Sequence, residues 1–464
     1  MKRLLNILII ILTASLVLNV AVAQEREDRP NRDLDGNFWS PTEDDFASWN
    51  VIDGVEDGAE IRFWPWALTP DFEDYLNQVI ANFEATYPGV TVIMEGQPAA
   101  GARDNIRNSF AAGNPPDVIN MSDGWVAEFA EAGVLLDMDA ALAEPYPQIR
   151  EEYVDGAWEK VTFDGTTYHL PWYLSFSNVM AVNGLIADEL GISGEDIPET
   201  WADAYEFACE VREMSDGAYY AYSLPWGELA GLGVLNDFIG EGIAVFSEDG
   251  SSVVFNEDER AAGILDAYKN LLDNDCIPRE SLTDDVREMI DRFSEGEILL
   301  LQTGPQLFRL VEENNPDVFD SLFLDNQFVG SANIRSIGGV QTVTVPAASQ
   351  YPNAALAFAV FLTNADTQTA FSQEVPIYSS NLVSYEDPFF TEGGESLTDQ
   401  LRPLAGEYFQ NATNTGILNF PQLAEVEQIV LGEFQAAILG VKTSQEALDA
   451  MAERINAILA ASTE

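Results

Sequence analysis

The feature that most constrains the fold of this chain is a split pattern of strands and helices. Residues 61–132 alternate between strand-like and helix-like segments, and a similar strand–helix pair returns only at residues 338–364. The β-α-β order predicts a parallel sheet with crossover helices. A chain that builds one lobe, leaves to build a second and then returns is expected to form a cleft beneath its crossings, and such clefts bind small ligands.

The hydrophobic spacing places the individual elements. Phe72, Tyr75, Leu76 and Val79 fall on one helical face, and Pro88 and Gly89 end that helix. Further helices are predicted over 103–112, 125–132, 201–214, 259–273, 353–362, 423–439 and 445–459, and strands over 61–66, 90–94, 118–121, 166–170 and 341–346.

The N-terminus has the organisation of a targeting segment. Two basic residues, an apolar run and a small-residue site before Gln24 predict a signal peptide over 1–23. The run is also long enough to remain as an uncleaved anchor. We therefore expect an exported protein in the periplasm or at the cell surface, either soluble or N-terminally anchored.

Residues 24–58 are acidic and without clear periodicity, which predicts a leader or tether. Residues 31–36 match the first half of a calcium loop, but Thr42 stands at the twelfth position, where the bidentate Glu is needed, so a polar turn is the better interpretation.

The net charge of −57 limits the classes of partner. A protein with 78 acidic and 21 basic residues lacks the basic footprint that nucleic acid requires. The acids are scattered along the chain, so a strongly hydrated exterior is favoured over a cation-binding surface. We expect a monomer that binds no nucleic acid.

Several segments in sequence order resemble one family, the substrate-binding proteins of sugar ABC importers (extracellular solute-binding protein family 1, the maltose-binding-protein group). The segments are FWPWALTP, AAGNPPDVINMSDGWVAEFAEAGVLLDM, YHLPWYLSFSNVMAVN, IPETWADAYEFACEV, FSEGEILLLQTGP and TVTVPAASQYPNAALAFAVFLTN. The resemblance covers about residues 61–459.

The resemblance implies an α/β fold of the two-lobe periplasmic-binding-protein type (type II), with crossing hinge strands. Lobe 1 would hold 59–172 and 338–374, and lobe 2 would hold 173–337 and 375–464. It also implies a sugar ligand between the lobes, a closed state that the ligand favours, and delivery to an ABC permease. No cofactor and no catalysis are expected.

Sugars present apolar faces and a rim of hydroxyls, so aromatic rings and carboxylates near strand ends are the expected ligand-binding residues. Those at the strand ends and predicted lobe crossings are Trp64, Trp66, Asp123, Trp172, Tyr173, Trp226, Arg335 and Tyr378. Three of them have an alternative role, since Trp64 or Trp66 could be core and Asp123 could cap the next helix. Trp125, which is not among them, suits helix packing.

Departures from the family pattern affect the ligand. Gln306, Phe308 and Glu427 stand where maltose-binding protein has tryptophans, and Leu174 or Ser175 replaces an acid beside the first crossing. A saccharide other than maltodextrin is therefore expected. The same fold binding a polyamine, an amino acid or a metal complex remains an alternative.

Catalytic alternatives have little support in the sequence. The single histidine, His169, lies in the strand-like segment 166–170 that precedes Pro171, and it suits a structural role. No zinc-type Cys/His spacing occurs, so no metal site is predicted. A two-carboxylate glycoside-active enzyme is the remaining enzymatic alternative. Cys209 and Cys276, the two cysteines, are either an intralobe disulfide, as exported proteins favour, or two buried thiols.

Overall fold

The computed structural model describes residues 43–98, 100–174, 179–375, 377–394, 396–410, 412–414 and 422–462. The predicted signal segment and the calcium-loop-like stretch therefore lie outside the described residues. Within these ranges no helix combines the length and the apolar character that crossing a membrane requires.

Fourteen strands are described, most of them short. They are β1 (Glu60–Trp64), β2 (Thr91–Met94), β3 (Val118–Ser122), β4 (Thr162–Phe163), β5 (Thr166–Thr167), β6 (His169–Leu174), β7 (Val179–Val182), β8 (Tyr220–Tyr222), β9 (Ile298–Thr303), β10 (Phe323–Asp325), β11 (Arg335–Ser336), β12 (Val340–Thr344), β13 (Tyr378–Ser379) and β14 (Ala412–Thr413).

The α-helices of the described ranges are α1 (Glu43–Trp49), α2 (Glu73–Thr86), α3 (Ala102–Ala111), α4 (Val126–Glu131), α5 (Met138–Leu142), α6 (Asp155–Lys160), α7 (Gly184–Leu190), α8 (Trp201–Met214), α9 (Trp226–Gly240), α10 (Glu259–Asp273), α11 (Val286–Ser294), α12 (Phe308–Asn314), α13 (Pro316–Asp320), α14 (Pro352–Leu362), α15 (Ala365–Glu374), α16 (Pro388–Thr391), α17 (Leu397–Gln410), α18 (Leu423–Ile438) and α19 (Ser444–Ser462). A 3-10 turn, Asp123–Trp125, precedes α4.

The chain forms two compact units. Unit 1 holds the described residues between 43 and 174 and between 338 and 391, and unit 2 holds those between 179 and 337 and between 392 and 462. The chain passes between units three times, and the second passage lies at the expected position, 337/338. The third passage lies at 391/392 instead of the predicted 374/375. One reason is that β13 pairs with β6, which keeps residues 378–379 in unit 1.

Unit 1 is built on a six-stranded mixed sheet in the order β13-β6-β12-β3-β1-β2. β1 runs parallel to β2 and β3, as the β-α-β pattern predicts, while β12 is antiparallel to β3 and β6. Helix α14 is apolar on every side, and its residues from Ala354 to Leu362 are buried. Phe358 packs against Phe63 of β1 and Phe83 of α2, which places the core of the unit between sheet and helices.

The prediction of a tether over 24–58 is wrong from residue 43 onward. Helix α1 packs on unit 1, where the ring of Trp49 makes an edge-on contact with Phe361 and its Nε1 donates to Asp366 at 2.7 Å. The hydroxyl of Tyr87 accepts from the Ile52 backbone N at 3.1 Å. The apolar residues of this acidic segment, such as Phe46, Trp49 and Ile52, are too few and too irregularly spaced to reveal this packing from sequence.

Unit 2 contains a four-stranded sheet in the order β10-β7-β9-β8, surrounded by helices. Its core includes Phe238, Phe255 and Phe434 and extends to α18 and α19. Cys209 of α8 and Cys276, just after α10, form a disulfide, which is one of the two alternatives that the sequence leaves open. Their Cα atoms lie 4.6 Å apart, so the bond joins α8 to the end of α10.

One buried acid in unit 2 should make stability depend on pH. Asp237 of α9 is only partly buried as a residue, but its carboxyl group is enclosed and accepts a 2.6 Å hydrogen bond from the Tyr268 hydroxyl. Burial, the largest cause, raises the pKa of Asp237 to about 7 from 3.8. The Tyr268 bond opposes this rise and the charge of Glu241 adds to it.

Because the folded chain keeps this proton at pH values where the unfolded chain has lost it, stability should fall as pH rises between about 4 and about 7. Asp237→Asn should remove this part of the pH dependence. Urea unfolding of both proteins at about pH 4 and about pH 8 gives the comparison, since other carboxyl groups contribute equally to both. Identical pH slopes would contradict the assignment.

Candidate functional site

One edge of the unit 1 sheet collects the ends of its strands. β1, β2 and β3 end there, because they are parallel. The register pairs Gln341 at the start of β12 with Ser122 at the end of β3, and Val340 with Leu174 at the end of β6. Tyr378 of β13 also pairs with Leu174. The six unit 1 residues predicted from sequence to bind ligand therefore lie on or next to strand ends at a single edge.

Two tryptophans form an aromatic pair at this edge. The ring centroids of Trp66 and Trp125 are 4.6 Å apart with the planes tilted by 42°, and both residues are partly exposed. The buried side chain of Asn120 fixes the position of Trp66, since its Oδ1 accepts from the Trp66 backbone N at 3.0 Å. Asn120 Nδ2 donates to the Thr342 carbonyl and to Gln341 Oε1, which ties Trp66 to β12.

Asp123 follows β3 directly and pairs with a lysine from another element. Its Oδ2 accepts from Lys160 Nζ at 3.0 Å, and its Oδ1 accepts from Ser122 Oγ at 3.2 Å. The side chains of Asp123 and Lys160 are 13% and 10% exposed. The carboxylate thus bonds to these two side chains, and the alternative role as a helix cap is not the one the structure shows. We call Trp66, Asp123, Trp125 and Lys160 the edge cluster.

Charged side chains hold the neighbouring rings. Glu95 accepts from Trp64 Nε1 at 2.6 Å and from Arg62 Nη2 at 2.8 Å. The hydrogen bond from Arg62 is the main cause that lowers the pKa of Glu95, and the bond from Trp64 adds to it. Arg103 lies over the Trp125 ring, with its guanidinium carbon 5.9 Å from the ring centroid.

The remaining unit 1 predictions lie deeper. Trp172 is fully buried and packs against Phe63 and Phe371, so it belongs to the core. Tyr173 makes an edge-on contact with Phe371, and burial raises the pKa of its hydroxyl. Tyr378 is 5% exposed in β13. These three residues are not members of the edge cluster.

The two candidates of unit 2 are also buried. Trp226 is 4% exposed and packs edge-on against Tyr268 and Phe434, which is core packing rather than a stacking surface. Arg335 Nη2 lies 3.2 Å from Glu407 Oε1, and its guanidinium carbon lies 5.6 Å from the ring centroid of Tyr408. Arg335 therefore contacts residues of unit 2, whereas the edge cluster belongs to unit 1.

His169 has the structural role that the sequence indicates. It is fully buried, and its Nδ1 lies 2.8 Å from Thr342 Oγ1. Thr342 uses its only hydroxyl proton to donate to the Met121 carbonyl, so His169 Nδ1 must carry the proton of a neutral ring. Burial lowers the pKa of His169 to about 3, which keeps the ring neutral.

Among the described residues no group of three or more His, Cys, Asp or Glu side chains is placed to hold a metal ion. The chemistry that the edge cluster offers is non-covalent. Its indole rings suit apolar CH faces, its carboxylate accepts hydrogen bonds and its ammonium donates them.

Sequence reasoning missed part of this cluster. The sequence indicates helix packing for Trp125, and nothing local connects Lys160 to Asp123, which lies 37 residues earlier. The chain has four lysines (Lys2, Lys160, Lys269 and Lys442), and a lysine shortly before a predicted strand was the available signal. Asn120, inside the apolar strand 118–121, was a second signal, since a buried amide requires partners.

A family model matches residues 69–369 of this chain, and it is that of the bacterial extracellular solute-binding proteins. The chain belongs to this family. The match includes Asp123, Trp125 and Lys160 and both passages that flank residues 179–337. The family that the sequence motifs suggest is thereby confirmed.

Solved structures of other binding proteins have the same fold. The sugar-binding protein MalE of Xanthomonas citri matches with a TM-score of 0.66 at 20% identity, over 87% of this chain and 98% of that one. A solute-binding protein of an ABC transporter from Thermotoga lettingae TMO, bound with alpha-D-tagatose, matches with a TM-score of 0.56 at 21% identity, over 86% of this chain and all of that one (100%). These likenesses confirm the α/β, type II binding-protein fold.

A protein of Brucella abortus (strain 2308) is 23% identical over 277 residues, which is 56% of this chain and 62% of that protein. The chain thus aligns with about three fifths of the length of this curated relative. An uncharacterized lipoprotein of Streptomyces antibioticus is 22% identical over 307 residues, or 65% of this chain and 66% of that one.

Proposed function

We propose that this solute-binding protein captures a neutral mono- or oligosaccharide outside the cytoplasm and delivers it to the permease of an ABC importer. It acts by binding alone, without catalysis and without a cofactor. The observation that carries the proposal is the Trp66–Trp125 pair beside Asp123 at the strand ends of unit 1.

The family supports this function, since its members bind solutes, and both structural relatives named above are described with sugars. The chemistry of the edge cluster supports it independently. The indole rings cover apolar surface, while the carboxylate and ammonium groups bond to hydroxyls, and a sugar needs both kinds of contact. The expectation that the ligand also touches unit 2 stays a prediction.

A calorimetric panel of neutral sugars, polyamines and amino acids tests the ligand class. We expect binding of at least one saccharide, and Trp66→Ala should weaken it about tenfold or more, equivalent to about 1.4 kcal/mol. The physical reason is the loss of the ring that covers the apolar face of the sugar. Isothermal titration of wild type and variant measures the change directly.

Trp201→Ala is the matched control, because Trp201 is a partly buried tryptophan packed against Phe328 in unit 2. It should lower stability but leave the affinity of the folded protein unchanged. Binding of a polyamine or amino acid with no response to any saccharide would overturn the sugar assignment. Turnover of a glycoside would instead favour the enzymatic alternative.

A further inference from the structure

Lys160 is far less exposed than the other described lysines. Its side chain is 10% exposed, whereas those of Lys269 and Lys442 are 33% and 35% exposed and form ion pairs with Asp273 and Glu433. Removing an ammonium group from water is costly unless it is paired and hydrogen-bonded. A nearly covered lysine at the end of α6 therefore calls for a specific role.

The ion pair formed by Lys160 has unused hydrogen-bonding capacity. An ammonium group has three N–H donors, and Asp123 Oδ2, at 3.0 Å, is the acceptor found for it among the described residues. A carboxylate has about four lone-pair sites. Asp123 accepts one hydrogen bond from Lys160 Nζ and one from Ser122 Oγ. Both side chains keep about a tenth of their surface exposed, so the pair is not sealed within the core of unit 1.

The position of the pair connects it to the aromatic rings. Asp123 and Trp125 belong to the same 3-10 turn, and Trp125 packs against Trp66. A sugar that lies on these rings presents its hydroxyl rim at the side of the ring plane. The turn places Asp123, and with it the ion pair to Lys160, next to the aromatic surface.

Building on the saccharide-binding function proposed above, we propose that Asp123 and Lys160 together recognise two adjacent hydroxyls of the sugar. One hydroxyl donates to the Asp123 carboxylate, and its neighbour accepts from the Lys160 ammonium. Adjacent equatorial hydroxyl oxygens of a pyranose are about one hydrogen-bond length apart, which matches the separation between Nζ and Oδ2. Lys160 is thus a specificity-determining residue of the site.

Charge explains why this pair selects a diol. Both new bonds involve an ionised group, and such bonds are roughly twice as strong as neutral ones. A sugar that lacks either hydroxyl leaves one of these two bonds unmade at a nearly covered ion pair, so it should bind more weakly. A protonated polyamine offers only donors, so it cannot accept the hydrogen bond that the Lys160 ammonium donates.

The test uses the full chain and the neutral saccharide that binds best in the panel, together with its monodeoxy analogues. For wild type we expect two analogues, deoxygenated at adjacent carbons, to bind at least tenfold more weakly, while the others change less. Lys160→Met, which keeps an apolar stem of similar length without the charge, should weaken the parent sugar at least tenfold. This variant should also bind two sugars equally well: the parent, and the analogue that lacks the hydroxyl proposed to accept from Lys160.

Lys269→Met is the control, since it removes a lysine from an exposed ion pair within α10 of unit 2, and it should leave every affinity unchanged. Circular dichroism establishes that Lys160→Met is folded. If that variant does not fold, the affinities of wild type for the monodeoxy analogues still test the proposal. Large losses of affinity confined to analogues deoxygenated at non-adjacent carbons would overturn it.

The measured affinities distinguish failure of the diol assignment from failure of the saccharide-binding function. Absence of binding to any saccharide by wild type overturns both. If wild type binds a saccharide but Lys160→Met keeps the full affinity, or loses the same factor for the parent and for all analogues, the diol assignment fails and the sugar-binding function stands.

Discussion

Trp172→Ala should lower the free energy of unfolding by about 3–5 kcal/mol, which is the usual cost of deleting a buried tryptophan ring. The ring is fully buried between Phe63 and Phe371, so its removal leaves a cavity in the core of unit 1. Urea unfolding followed by circular dichroism measures the loss. The affinity of the folded protein for sugar should change little, because the ring is covered.

Trp172→Phe is the informative comparison. Trp172 Nε1 is buried with no hydrogen-bond partner among the described residues. Phenylalanine removes this unsatisfied donor while keeping most of the apolar contact, so it should lose well under half of what alanine loses. If Trp172→Ala keeps its stability but loses sugar affinity, the ring belongs to the binding surface, as the sequence-based interpretation had it.

Replacing both cysteines by alanine should destabilise unit 2 by about 4 kcal/mol. The bond between Cys209 and Cys276 links residues 67 apart in sequence, and releasing a loop of that length increases the conformational entropy of the unfolded chain. A reductant should lower the thermal unfolding midpoint of the wild type by the same amount as the double substitution does.

Two measurements establish that the bond is present in the wild type. The mass of the unreduced chain should be two hydrogens below that of the reduced chain, and denatured unreduced protein should contain no reactive thiol. The double variant should not respond to reductant. An unfolding midpoint of wild type that is insensitive to reductant, with two thiols titrated, would contradict the disulfide.

The elements of the fold could be read from sequence wherever periodicity was long and its ends were marked. The bounds of α8 and α10 agree with the predicted 201–214 and 259–273, because Thr200 and Asp258 cap them. Helix α1 was missed because seven residues give too short a pattern. The third passage between units was misplaced because β13 is two residues long and has no signal of its own.

The candidate site was only partly readable. Tryptophans near strand ends were found, but sequence does not tell a ring that stacks on ligand from a ring that fills a core. Trp66 and Trp172 both follow apolar strand residues, yet one is partly exposed and the other is fully buried. The difference arises because α14 and α15 cover the sheet over Trp172, and this packing depends on residues almost 200 positions later.

The family, the alternation of strands and helices, and the return of the chain at residue 338 are readable from sequence, because each depends on local spacing and on motifs in order. Which polar groups meet depends instead on how the chain packs. Asp123 and Lys160 belong to a turn and a helix 37 residues apart, and Gln341 reaches Asn120 across 221 residues. Strand register and helix packing create such contacts, and neither leaves a local pattern in the chain.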